Sequence, residues 1–188
     1  MRLAILIPTL NEPWSIKKLT RLNNIIDPQI DKYKGQVYKE INDAGRSMLI
    51  GTKRNELIKN TDSDYFVFID CDDVVPSFYV DEMMKAIEQG PDVISFIGHM
   101  TTDGAHRENF TIKLGSEYVS RGGHHYRWPN HLACMRRDRV EHIKFPDVKE
   151  REDFLWSEQI HKRKLLQTEI HLNKELYWYD FISPHLRK

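Results

Sequence analysis

The chain has 188 residues and a formal net charge of zero, with 28 Lys and Arg against 28 Asp and Glu. Its 40% hydrophobic and 11% aromatic content argues against disorder, and the balanced charge removes the global attraction to polyanions shown by most nucleic-acid binders, although local basic runs remain. Two cysteines, Cys71 and Cys134, are too few for a disulfide framework and lack the C-x-x-C spacing of a zinc or redox site, which suits a reducing compartment. No apolar stretch approaches the about 18 residues of a membrane span, so a soluble, cytoplasmic chain is expected, with one domain over residues 1–188.

Leu3 to Ile7 is an uninterrupted run rich in branched residues and bounded by Pro8, the pattern of a strand buried on both faces of a parallel sheet. Ser15 then caps a helix carrying Ile16, Leu19, Leu22 and Ile26, which Asp27-Pro28 is expected to stop. A second strand is expected over residues 36–41, followed from near Gly51 by a helix carrying Leu57 and Ile58. Tyr65 to Ile69 is the clearest strand, and it stops at Asp70-Cys71-Asp72-Asp73. Ser77 opens a helix closed by Gly90, and residues 92–97 read as a fourth strand. Strands alternating with helices imply a mostly parallel, doubly wound sheet. Beyond residue 100 the pattern predicts an antiparallel hairpin of residues 109–114 and 117–120 around Gly115-Ser116, a loop over 121–131, and a helix from Glu152 toward Leu166 as the last element.

Ligands of open parallel sheets bind beyond the carboxyl ends of the strands, which is where Asp70, Asp72 and Asp73 fall. Carboxylates so closely spaced repel one another unless a cation or hydrogen-bond donors neutralise them, and Mg²⁺ or Mn²⁺ prefers such oxygen ligands. An acidic turn leading into a helix is the competing explanation of the same residues.

Several segments together resemble glycosyltransferase family 2, a group of inverting nucleotide-sugar transferases with the GT-A fold. Residues 5–12, containing Pro8, Thr9, Leu10 and Glu12, are similar to the family's first strand and nucleobase-holding turn, and Asp43 falls where its second-strand aspartate contacts the base. Gly51-Thr52-Lys53-Arg54-Asn55 resembles its Gly-x-x-Arg-Asn stretch, and Asp70-Cys71-Asp72-Asp73 its metal-binding DxD motif. Glu152-Asp153 resembles the Glu-Asp pair that opens a late helix and supplies the catalytic base. Asn42-Asp43 departs from the usual two acidic residues, and the chain ends soon after Leu176 to Tyr179, a compact pattern like that of short bacterial or phage enzymes.

The resemblance implies a fold of the GT-A type, a nucleotide-sugar half over residues 1–100, and an acceptor and catalytic-base half over 101–188. It implies a Mn²⁺- or Mg²⁺-dependent transfer from a nucleotide-sugar donor, with a UDP-sugar favoured, to a glycan, lipid-linked, protein or modified-DNA hydroxyl. Asp72 and Asp70 would hold the metal, with His185 reaching back to complete its shell, and Asp153 would take the acceptor proton. Pro8, Thr9, Leu10, Glu12, Asp43, Lys53, Arg54, Asp70, Cys71 and Asp72 would line the donor site. Lys53 and Arg54 equally suit a solvated helical turn, and Glu152 and Asp153 equally suit the dipole at a helix start. Trp128, His131 and Glu152 are candidates for the acceptor side, where Trp128 either stacks on a ligand ring or anchors its loop. A nucleotidyltransferase and a non-catalytic nucleotide-sugar-binding module are the alternatives; the first expects a Gly-rich basic loop that residues 8–12 do not supply.

Overall fold

The structure is a computed structural model and describes residues 1–186. Its elements run β1 (Leu3–Pro8), α1 (Pro13–Asp31), β2 (Val37–Asn42), α2 (Ile50–Asn60), β3 (Tyr65–Phe68), α3 (Tyr79–Ile87) and β4 (Val93–Thr102) through the first half. The second half comprises β5 (Ala105–Ile112), β6 (Val119–Arg121), β7 (His124–Arg127), β8 (Cys134–Arg136), α4 (Arg137–Val140), α5 (Glu152–Lys162) and β9 (Glu169–Phe181). The strands form one mixed sheet in the order β2-β1-β3-β8-β4-β5-β7-β6, and β9 pairs with β4 off this path.

The parallel half follows directly from the sequence pattern. All of Leu3–Pro8 and Tyr65–Phe68 is buried, as both alternating sets of side chains must be when helices cover both faces. β1 pairs in parallel with β2 and β3, so all three strands end at the same rim. Buried apolar residues from Leu3 to Tyr177 join in one core.

Four expectations are corrected. α1 does not stop at Asp27-Pro28 but runs through Pro28 to Asp31, because Gln29 is buried and its amide donates to the Ile25 carbonyl at 2.9 Å and the Pro76 carbonyl at 3.1 Å, holding the helix where proline removes a backbone donor. The N-cap of α1 is Glu12, not Ser15; Pro13 follows it, and the Ser15 hydroxyl accepts from the Glu12 amide at 3.2 Å. No hairpin forms around Gly115-Ser116. Instead β4 turns back into β5 through Asp103-Gly104, β6 pairs with β7 through Gly122-Gly123, and β5 and β7 lie parallel. These two turns have φ between 52° and 76°, conformations for which glycine is the usual choice.

The last correction concerns the carboxyl end. The last long element is the 13-residue strand β9 and not the helix from Glu152, which is complete by Lys162. β9 runs parallel to β4 along its whole length, with register shifts near Ile97, and Trp178 bridges to Val74 just beyond the aspartate cluster.

Candidate active site

The rim shared by β1, β2 and β3 carries the first part of the site. Beyond β1, the Thr9 amide donates to the Asn42 carbonyl of β2 at 2.9 Å. The Lys53 ammonium, 1% exposed, crosses from α2 to donate to the Thr9 carbonyl at 2.6 Å. Burial lowers the Lys53 pKa, against the opposing pull of Asp43 and Glu12. Pro8, Thr9, Leu10, Trp14, Met48, Ile50, Lys53, Asp70, Cys71 and Asp72 line a cleft of about 220 Å³. Seven of the ten expected donor-site residues are therefore brought together there. Cys71 contributes as a neutral thiol, its pKa pushed up to about 12 chiefly by burial.

The other three expected donor residues lie elsewhere. Glu12 supports the wall: it accepts from the Trp14 indole at 2.8 Å and pairs with Arg46, whose donated hydrogen bonds lower its pKa. Asp43 is exposed past the end of β2, outside the lining of the cleft. Arg54 is not a solvated helical residue but is 3% exposed, and it organises the next cleft.

Arg54 projects from α2 between two carboxylates. It donates to Glu152 at 2.6 Å through one terminal nitrogen and to both Asp70 oxygens at 3.0 and 3.1 Å through the other. Its guanidinium carbon lies 5.7 Å from the Phe68 ring centre and 5.6 Å from that of Phe145. Burial by itself would raise the Asp70 pKa, but the charge of Arg54, aided by His131, outweighs it and holds Asp70 below the ordinary carboxylate range. Gly51 permits this approach of α2, since a Cβ there would stand 2.7 Å from the Pro146 carbonyl oxygen and 3.4 Å from Glu152 Cβ.

Asp70 also lines a second cleft of about 370 Å³, together with Arg54, Asn130, His131, Glu152, Asp153 and Tyr179. The two clefts thus share Asp70 as a common wall. Asp153 is placed by the first turn of α5, whose N-cap Arg151 has a left-handed φ of 64°. His131 stands between the acids, with Nε2 3.8 Å from Asp70 and Nδ1 3.5 Å from Asp153. Asp153 also lines a hollow together with Tyr118, Trp128, Arg151 and Phe154.

Trp128 is part of a packed ring cluster. His161 stacks on it at 4.4 Å, Tyr118 lies 4.8 Å away, and its indole donates to Ser157 at 3.2 Å. These contacts make it a strut that also forms one side of the hollow.

The expected metal group of Asp70, Asp72 and His185 is not gathered. His185 lies within electrostatic reach of Asp103, and among the described residues no three His, Cys, Asp or Glu side chains converge as a metal group. Asp73 is fully buried, accepting from the Tyr177 hydroxyl at 2.6 Å and the Asp180 amide at 3.0 Å, and burial followed by the charges of Asp70 and Asp72 raises its pKa. Two carboxylates of the cluster are therefore committed to protein donors. Asp72 lies with Asp70 on the lining of the first cleft. Such a donor set fits a cation carried by a diphosphate, because Mg²⁺ keeps waters and needs only one or two carboxylates beside substrate phosphates.

Three supports were not singled out from sequence. The Tyr177 hydroxyl accepts from the Asp70 amide at 3.2 Å while donating to Asp73, the Arg21 guanidinium donates to the Asp72 and Asp73 carbonyls, and Asp180 pairs with Lys18 and Arg21. β9 and α1 thus clamp the aspartate turn from two sides. The alternating Leu-Tyr-Trp-Tyr segment was the available signal for β9.

A rim of three parallel strands, an acidic turn at its central strand and a second cleft walled by an acidic helix start define an α/β domain of the GT-A type. Residues 29–148 match the family model described as "Glycosyl transferase family 2", and the chain belongs to that family. Among solved structures the chain is similar to Staphylococcus aureus TarS, at 16% identity and a TM-score of 0.64, with 96% of this chain and 37% of that one covered. It is also similar to TarS 1–349 in complex with UDP-GlcNAc, at 16% identity and a TM-score of 0.64 over 96% of this chain and 58% of that one. The complex of TarS 1–349 with UDP gives 16% identity and a TM-score of 0.65 over 96% and 60%. The chain therefore spans between 37% and 60% of the TarS chains it matches, and the likeness concerns the fold. No curated protein matches the sequence. No described helix is long and apolar enough to cross a membrane.

Proposed function

We propose that this chain transfers a sugar from a nucleotide-diphosphate donor to a hydroxyl acceptor with inversion at the anomeric carbon. The observation that carries the reading is the pair of clefts joined at Asp70, with Asp153 on the wall of the second. The first cleft holds the nucleotide, with the Thr9 carbonyl fixed by Lys53 and the Trp14 indole fixed by Glu12. Its likeness in fold to a UDP complex makes UDP the first donor nucleotide to test.

The sugar enters the second cleft, where Arg54 and Glu152 hold Asp70 in one orientation without further motion. Asp153 accepts the acceptor proton as the oxygen attacks in line, opposite the leaving diphosphate. The hollow of Tyr118, Trp128, Arg151 and Phe154 opens on Asp153 and receives the acceptor. Asp72 is the carboxylate that would hold Mn²⁺ or Mg²⁺ on the diphosphate. When bound, that ion neutralises charge developing on the leaving group. Residues 1–100 are the donor half and residues 101–188 the acceptor half of one catalytic unit.

The test is thermal stabilisation by UDP-, GDP- and CMP-sugars with and without Mn²⁺, because a ligand binding only the folded state raises Tm. A UDP-sugar that stabilises the wild type only with Mn²⁺, and fails to stabilise Asp72→Asn, is expected. No shift with any nucleotide sugar would defeat the proposal.

A further inference from the structure

We infer that His131 is the positioning residue for Asp153: its Nδ1–H is donated to Asp153 Oδ2 when the clefts fill, fixing which carboxylate oxygen faces the attacking hydroxyl. The inference rests on Asp153 being the base.

His131 is 8% exposed, and its loop is held locally, the Leu132 amide donating to the Asn130 side chain at 3.1 Å and the Ala133 amide to the Asn130 carbonyl at 3.0 Å. Its ring lies between two acids, yet 3.8 Å to Asp70 and 3.5 Å to Asp153 are ion-pair separations beyond hydrogen-bond length. Nδ1 is buried with no hydrogen-bond partner among the described residues. Buried nitrogens without partners are rare and costly, and here a carboxylate oxygen of Asp153 stands 3.5 Å from the unused atom. A closure of about half an ångström reaches ordinary N–H···O length.

Asp153 needs such a tether. Its side chain is 33% exposed, and no hydrogen bond to its carboxylate is formed among the described residues. The terminal torsion of an aspartate is broad, so an untethered carboxylate samples orientations in which neither oxygen faces the reacting hydroxyl. His131 also ties the tether to the donor side, because its Nε2 faces the Asp70 carboxylate that Arg54 locks in place. Arg54 thus holds Asp70 beside Glu152, and His131 stands at ion-pair separation between Asp70, on the wall of the donor cleft, and the base.

The amide nitrogen of Asn overlays Nδ1 of His, and that of Gln overlays Nε2, so the two substitutions separate the two contacts. With UDP-GlcNAc as the probe and water as the acceptor, His131→Ala and His131→Gln should lower kcat by about 10²-fold with KM unchanged, the scale of a misplaced reacting group. His131→Asn should recover most of that loss. Equal loss in the Asn and Ala variants, or an effect confined to KM, would overturn the assignment. A second measurement needs no turnover. In side-chain ¹⁵N NMR of the full chain with UDP, Asp153→Asn should move the His131 Nδ1 resonance more than Nε2, and Asp70→Asn the reverse; an Nδ1 resonance indifferent to Asp153→Asn would also overturn it. Absence of hydrolysis by the wild type would count against the transfer reading, and the NMR result would still decide the role of His131.

Discussion

Replacing Arg54 by Ala removes the cation that bridges Glu152 and Asp70, leaving two carboxylates facing a space that Phe68 and Phe145 keep apolar. Removing one partner of a buried ion pair typically costs about 3–5 kcal/mol. The Asp70 side chain is 21% exposed and that of Glu152 10%, so water reaches part of the unpaired charge and the expected cost is about 3 kcal/mol. For a urea m-value of about 2 kcal/mol/M, this lowers the midpoint by roughly 1.5 M with m unchanged. Arg54→Lys keeps the charge but not the fork that reaches both acids, and should fall between wild type and Ala.

The same variant has a pH signature. A carboxylate whose folded pKa is depressed contributes stability that is fully present above its unfolded pKa, about 3.9 for Asp, and lost as pH falls through the folded value. Asp70 is depressed through Arg54 in the wild type. The gap between wild type and Arg54→Ala should therefore be full at pH 7 and narrow below about pH 4. Urea titrations at both pH values measure it. A midpoint shift equivalent to under about 0.5 kcal/mol at pH 7, the scale of an ordinary surface substitution, would refute the view that Arg54 is the buried keystone of the site.

Tyr177→Phe leaves a buried Asp73 oxygen and the Asp70 amide each without one partner, and should cost about 1–3 kcal/mol in chemical unfolding. Gly51→Ala forces a Cβ against the Pro146 carbonyl and should cost about 1–3 kcal/mol, with weakened nucleotide affinity because α2 carries both Lys53 and Arg54.

The first half of the fold was legible because its signals are local. Two uninterrupted apolar runs rich in branched and aromatic residues suit strands buried on both faces, and ligand-bearing residues of a parallel sheet gather where such strands end. Pro8 to Leu10, Lys53 and Asp70 to Asp72 met in one cleft for that reason. The Glu152-Asp153 helix start was equally local. The roles of Arg54 and Asp73 were not, because a charged residue in a helical turn or an acidic turn carries no mark of its burial; that depends on partners 98 and 104 positions away in Glu152 and Tyr177. Pro28 misled in the same way, since the helix continues on the strength of a Gln29 contact to a loop 47 residues distant. β9 pairs with β4 across an intervening excursion of four strands and two helices, a non-local pairing that the residues near 170 do not announce.

The most direct test of the account is a comparison of Asp153→Asn with the wild type in two assays on the same preparations. Calorimetric binding of UDP in the presence of Mn²⁺ should be unchanged, because Asp153 lies outside the nucleotide cleft. Release of UDP from UDP-GlcNAc should fall by about 10²–10⁴-fold, the usual contribution of a general base. Undiminished turnover by Asp153→Asn would contradict the assignment of this carboxylate, and with it the reading of the second cleft as the place where the sugar is transferred.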